Sequence, residues 1–166
     1  MNPCNCGYYP DKNRCICSES DLRRYLARIS RPILDRIDIC VEAQQLKFAS
    51  IQENANNLSS ESMKQQVQKC FDIQKERYKN EKFIHNSQIP SSRLKEYCEL
   101  SAQDQHFMEE IYDKYMLTAR TYHKILRVAR TIADVEESKS IHHNHLVEAI
   151  RYRSLINDKK YWGGLA

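Results

Sequence analysis

Glycine is nearly absent from this 166-residue chain. Gly163 and Gly164 stand among the last four residues, so Gly7 alone serves the first 162. Glycine is the residue that reaches positive φ without a Cβ clash, and phosphate-cradling loops depend on it. A P-loop of the form G-x-x-x-x-G-K-[ST] and a dinucleotide G-x-G-x-x-G turn are therefore both impossible here. Four prolines and few β-branched runs argue against an all-β chain as well. What remains is a mostly helical chain with no nucleotide-binding loop of its own. Its 41% hydrophobic and 29% charged residues suit a folded domain rather than a disordered one. Twenty-six basic against 22 acidic residues give a net charge of +4, too slight to argue for nucleic acid by itself.

Periodicity divides the chain. Residues 1–19 are rich in turn formers and cysteine and have no apolar face. Leu22, Tyr25, Leu26 and Ile29 then repeat at helical spacing, with Ser20 as the expected N-cap and Pro32 as the expected stop. Ile37, Ile39 and Val41 alternate with Asp38, Cys40 and Glu42, which predicts one strand. A lone strand has no ladder to join, so its partners are expected outside this chain. From about residue 48 the pattern is helical: a long helix from Ser59 or Ser60, a short one over 91–98, one capped by Ser101, one capped by Thr118 and a last one over 142–155. The polar run Gln52–Asn57 reads as the connection. The expected domains are 1–47, holding a cysteine knuckle over 4–17, a helix and one strand, and 48–166, a helical bundle.

Within the helix over 118–135, Tyr122, Ile125, Leu126, Ala129, Ile132 and Ala133 share one face at ~100° per residue. Arg120, Lys124 and Arg127 lie opposite. That basic stripe reads as solvated, except that Arg120 sits in the first turn, where free backbone N–H groups favour anions. His142, His143 and His145 are poorly spaced for one metal site, and helix-start packing explains them better.

No stretch approaches the ~18 apolar residues of a membrane span, and the N-terminus lacks a signal pattern, so a cytoplasmic chain with reduced thiols is expected. Three of the seven cysteines, Cys40, Cys70 and Cys98, fall singly in apolar patterns and read as small core residues. Cys4, Cys6, Cys15 and Cys17 crowd into fourteen residues with no core to fill. Four thiolates can bind one structural Zn²⁺ tetrahedrally, in place of the hydrophobic core that so short an excursion lacks. The alternative is four reduced thiols without a metal.

Four blocks of sequence carry a resemblance. Met1-Asn2-Pro3-Cys4-Asn5-Cys6-Gly7-Tyr8-Tyr9, Arg24 to Asp38 (RYLARISRPILDRID), Leu117 to Asp134 (LTARTYHKILRVARTIAD) and His145 to Arg153 (HLVEAIRYR) are similar, in order, to blocks of the magnesium-chelatase-like AAA+ ATPases of the ComM/YifB family. They span nearly the whole chain. The resemblance implies the C-terminal end of an AAA+ α/β core followed by the helical C-terminal (lid) domain, with the Walker motifs upstream. Asn2 then matches the sensor-1 asparagine, Arg36 an arginine finger acting on a neighbouring subunit's nucleotide, and Arg120 the sensor-2 arginine. Without the resemblance, Asn2 would be an Asn-Pro turn and Arg36 a salt-bridge partner of Asp35 or Asp38. Asn5 stands where the family has proline, and Arg31 where it has glycine.

The implied protein binds ATP and Mg²⁺ through its own N-terminal AAA+ region and assembles into a homo-oligomeric ring, a hexamer. It acts on DNA as a helicase or branch-migration motor in natural transformation. This chain alone would not hydrolyse ATP. The competing reading is a free-standing zinc knuckle and helical bundle that binds nucleic acid or protein, with Arg14, Arg23, Arg24, Arg28 and Arg31 on phosphates.

Overall fold

Hydroxyl side chains cap the four helices that Ser18, Ser59, Ser101 and Thr118 precede, and two helix-ending turns adopt left-handed backbone without glycine. The computed structural model describes residues 2, 4–9, 11–41, 43 and 57–157. Most of the connection expected at Gln52–Asn57, and both C-terminal glycines, lie outside them. The chain divides into two units, Met1–Cys40 with Tyr152–Ala166, and Val41–Arg151.

The first unit contains α1 (Glu19–Leu26) and α2 (Arg31–Leu34). The N-cap of α1 is Ser18, two residues before the expected Ser20. The Ser18 hydroxyl accepts the Asp21 N–H at 3.2 Å, and the Asp21 carboxylate accepts the Ser18 N–H at 3.3 Å. That reciprocal pair satisfies two donors that Ser20 would have left open. Pro32 does not stop α1, which ends at Leu26; it lies in the first turn of α2, where a missing N–H costs nothing. Leu26 and Leu34 are the buried aliphatic anchors of these two helices.

The strand expected over 37–41 is not formed, and the described residues contain no strand at all. Alternation supplies a strand's side-chain pattern but not the neighbour whose backbone completes it. Here the backbone of the segment bonds to the end of the last helix instead. The Cys40 N–H donates to the Tyr152 carbonyl at 2.8 Å, and Arg153 Nη1 donates to the carbonyls of Ile37 at 2.6 Å and Asp38 at 3.4 Å. Ile37 and Ile39 stay exposed.

The second unit is helical throughout its regular structure. It holds α3 (Ser60–Arg77), 3-10 turns at Asn86–Gln88 and Ser91–Arg93, α4 (Leu94–Tyr97), α5 (Ala102–Lys114), α6 (Ala119–Val135) and the first residues of α7 (His143–Asn157). Ser59, Ser101 and Thr118 cap α3, α5 and α6 by accepting the N–H three residues on. Ile125, Leu126, Ala129 and Ala133 of α6 are buried, as the angular reading requires. They pack with Tyr78, Ile89, Met108 and Leu146 into one core.

Across this apolar interior runs a polar hub. Asp134 is fully buried and receives Arg77 through two guanidinium nitrogens, Arg130 at 3.0 Å and the Asn86 side-chain amide at 2.8 Å. Arg130 also donates to the carbonyls of Ser138 at 2.6 Å and Lys139 at 2.9 Å. Asn86 Oδ1 accepts the Tyr78 hydroxyl at 2.5 Å, and the Asn86 N–H donates to Gln74 Oε1 at 3.0 Å. A single acid thus joins α3, the first 3-10 turn and α6. Pairing of this completeness offsets the cost of burying its charges.

Helices α5 and α6 both end in the same six-residue turn. The Leu117 N–H bonds to the Tyr112 carbonyl at 2.9 Å, and the Ser138 N–H to the Ala133 carbonyl at 2.8 Å. Such turns place a left-handed residue just past the helix, and glycine is usual there. Here Met116 takes φ 47° and Glu137 φ 56°.

Candidate functional site

The cysteine knuckle is built by two local turns. The Gly7 N–H closes back on the Cys4 carbonyl at 3.2 Å, with Gly7 at φ 83°, a left-handed backbone that suits glycine. Asp11 opens the second turn, its carbonyl accepting the Cys15 N–H at 2.8 Å and its carboxylate the Asn13 N–H at 3.0 Å. The turns fold the two C-x-C pairs onto one another. Sulfur–sulfur distances are 3.3 Å for Cys4–Cys6, 3.6 Å for Cys6–Cys15 and 3.8 Å for Cys4–Cys15, and all four sulfurs lie within 4.8 Å of one another. Tetrahedral Zn–S bonds of about 2.3 Å require sulfurs about 3.8 Å apart.

The charge balance of the cluster points the same way. The Tyr8 N–H, with the Cys4 sulfur, brings Cys6 down to about 6. Burial resists the ionisation of Cys4, but the Tyr9 N–H, 3.4 Å from its sulfur, leaves it below the usual thiol value. Cys15 is helped by the Cys17 N–H, yet burial and the neighbouring sulfurs push it up to about 12. Cys17 is raised in the same way. Four sulfurs this close cannot all ionise unless a cation sits among them. The knuckle can hold a metal ion.

Asn2 and Arg36 belong to the first unit and Arg120 to the second, and all three are exposed. Arg36 follows α2, its N–H bonded to the Ile33 carbonyl at 2.9 Å and its Nη1 3.4 Å from the Pro32 carbonyl. Arg120 is the second residue of α6, on the side away from the apolar face. Its neighbour in the basic stripe departs from the solvated reading. Arg127 donates through Nε and Nη2 to the Ile89 carbonyl at 3.1 and 2.7 Å.

Sequence reasoning passed over the buried cations Arg130 and Arg153 and the half-buried Arg77. The signal for Arg130 was available: it stands one turn before Asp134, on the flank of an otherwise apolar face. The histidines do pack at the start of α7. Buried His145 contacts the His142 N–H at 2.9 Å and Glu136 at 2.9 Å, and His143 contacts Asp104 at 3.1 Å. No helix among the described residues is long and apolar enough to cross a membrane.

Residues 57–153 match the family described as magnesium chelatase, subunit ChlI C-terminal, and residues 1–51 match magnesium chelatase, subunit ChlI. The chain is 34% identical to the competence protein ComM of Haemophilus influenzae over 94% of its own length and 30% of that protein's. It is 32% identical to YifB of Salmonella typhimurium and 31% identical to YifB of Escherichia coli, in each case over 93% of this chain and 30% of the relative. It therefore spans about a third of the length of the curated relatives it matches. With residues 57–153 matching one magnesium chelatase description and residues 1–51 the other, the chain belongs to the magnesium chelatase ChlI family and is homologous to ComM and YifB.

Proposed function

We propose that this chain is the C-terminal part of a ComM/YifB-like AAA+ ATPase that assembles as a ring and remodels DNA, by helicase action or branch migration, during natural transformation. The observation that carries this reading is the match of two consecutive family descriptions over residues 1–51 and 57–153, in the order in which an ATPase core precedes its lid. ATP and Mg²⁺ are held by Walker motifs in the N-terminal region of the same protein. Asn2 orients the attacking water or contacts the γ-phosphate, and Arg120 meets phosphate from the first turn of a lid helix. Arg36 stabilises phosphoryl charge across a subunit boundary, where a planar, permanently charged fork is the fitting group. The protein works in the cytoplasm.

Cys4, Cys6, Cys15 and Cys17 hold one structural Zn²⁺, which cross-links the two turns and performs no chemistry of its own. The reading as a free-standing nucleic-acid module has less support. A loaded four-thiolate knuckle carries two negative charges, and with Asp11 it outweighs Lys12 and Arg14 on the loop between the cysteine pairs.

The deciding experiment measures ATP turnover by the whole protein. Arg36→Ala lowers turnover by about 10³-fold or more with nucleotide affinity retained. Mixing it with a Walker-B-dead protein restores part of the activity, since each supplies what the other lacks. Arg120→Ala weakens nucleotide affinity or assembly as well as rate. Wild-type turnover in Arg36→Ala would return that residue to a structural role. The absence of an in-frame G-x-x-x-x-G-K-[ST] upstream of Met1 would overturn the motor reading itself. Elemental analysis should find about one zinc per chain.

A further inference from the structure

We infer that Arg153 is a positioning residue for Arg36, holding the backbone that leads away from the candidate finger. The inference rests on the finger reading of Arg36 and adds a residue to that machinery. Three observations carry it. Arg153 is 2% exposed, and its only hydrogen bonds among the described residues go from Nη1 to the carbonyls of Ile37 and Asp38, the first and second residues after Arg36. Its Nε and Nη2 are buried with no hydrogen-bond partner among the described residues. A guanidinium spent this way is an expensive means of filling space, since buried donors left open are costly and an apolar side chain of similar size carries no such cost. Something other than packing has to account for it.

The second observation is what the finger segment lacks. Between Leu34, which is buried, and Cys40, no helix or strand fixes the backbone, and Ile37 and Ile39 are 38% and 51% exposed. Side-chain burial does not hold this stretch in one geometry. The third is the company Arg153 keeps. Its neighbour Tyr152 accepts the Cys40 N–H at 2.8 Å, so two successive residues near the end of α7 grip three of the four residues that follow Arg36. An arginine finger works only when its fork meets the transferring phosphoryl group in register, and a displacement of about 1 Å can cost about 100-fold in rate. The end of α7 supplies that register.

The test compares Arg36→Ala, Arg153→Met, Arg153→Lys and the double variant Arg36→Ala/Arg153→Met in the whole ATPase, each with its assembly state and melting temperature measured. Arg153→Met should lower kcat about 10- to 100-fold with KM unchanged. Arg153→Lys, which can still donate to the two carbonyls, should recover part of the loss. The double variant should be no slower than Arg36→Ala, because a positioning residue has nothing left to position. Wild-type turnover in Arg153→Met, or a double variant slower by the product of the two single losses, would overturn the inference while leaving the finger intact. Wild-type turnover in Arg36→Ala would defeat the finger reading and this one with it, whatever Arg153 does. If Arg153→Met does not assemble, hydrogen exchange on Arg153→Lys decides. Faster exchange at Cys40 together with a lowered kcat supports positioning, and a lowered kcat with unchanged exchange overturns it.

Discussion

The two units of this chain solve the same problem with different chemistry. The second unit buries a continuous apolar core on α4–α7 and the segment that follows α3, with the Asp134 hub and the helix caps as its main polar fixtures. The first buries Cys4, Leu26 and Leu34 and leaves Ile16, Ile33, Ile37 and Ile39 largely in solvent. What organises it are point attachments: four sulfurs within 4.8 Å, a capping box on α1 and the bonds from Arg153 to the carbonyls of Ile37 and Asp38. A core distributes stability over many contacts, so single losses are graded. Point attachments concentrate it, so removing one is abrupt and local.

The largest expected effect breaks the comparison at the knuckle. Structural zinc contributes on the order of 10 kcal/mol or more in small metal-held domains. A strong chelator, or Cys15→Ser with Cys17→Ser, should therefore abolish exchange protection over residues 4–17 and leave α6 protected. The measurement is hydrogen exchange by mass spectrometry, and equal loss in both units would show that they are not independent.

The next effect breaks the second unit where it behaves like the first. Asp134→Ala leaves Arg77 and Arg130 without their shared acid and should cost ~3–5 kcal/mol in denaturant unfolding. It should exceed Thr131→Ala, which removes a hydroxyl that accepts from Asn86 at 3.0 Å.

Caps sharpen the contrast at ~1 kcal/mol each. Thr118→Ala should lower the melting point of the helical unit. Ser18→Ala should leave that melting point unchanged and raise exchange in α1 alone. The Ser18 hydroxyl, then the Ser18 N–H, hold the Asp21 carboxyl below its usual range. The reciprocal bond is therefore present above the ordinary carboxylate pKa and lost as pH falls through the depressed one. The difference between wild type and Ser18→Ala should close on acidification below about pH 4.

The smallest effect is a gain. Met116 is 87% exposed at φ 47°, so Met116→Gly removes strain without removing burial. It should stabilise the second unit by about 0.5–1 kcal/mol, net of the extra freedom glycine has when unfolded.

The parts of this molecule that local chemistry decides were legible in the sequence. Ser59, Ser101 and Thr118 cap as expected because a cap involves only the next three residues, and the apolar face of α6 follows from angle alone. The cysteine cluster was legible because four thiols in fourteen residues admit few explanations. The failures occur where a distant residue decides. Ile37, Ile39 and Val41 alternate as a strand does, but Tyr152 and Arg153, more than a hundred positions later, take the backbone groups a ladder would have used. Arg127 reads as a solvent-facing cation until Ile89 presents a carbonyl to it. Ser18 displaced Ser20 as a cap because the partner that matters is Asp21, three residues on from Ser18 and one from Ser20.

The Asp134 hub also bears on how the second unit folds. Its pairs with Arg77 and Asn86 close loops of 57 and 48 residues. Contacts of that span form late, because the loop-closure entropy has to be met before they contribute. Until they close, Arg130 and Asp134 have only each other on α6, and the charges resist burial. The transition state should therefore hold α6 packed by its apolar face with the hub still wet. Asp134→Ala would then accelerate unfolding far more than it slows refolding, a low φ-value beside the last residue of α6, whose apolar face is packed early.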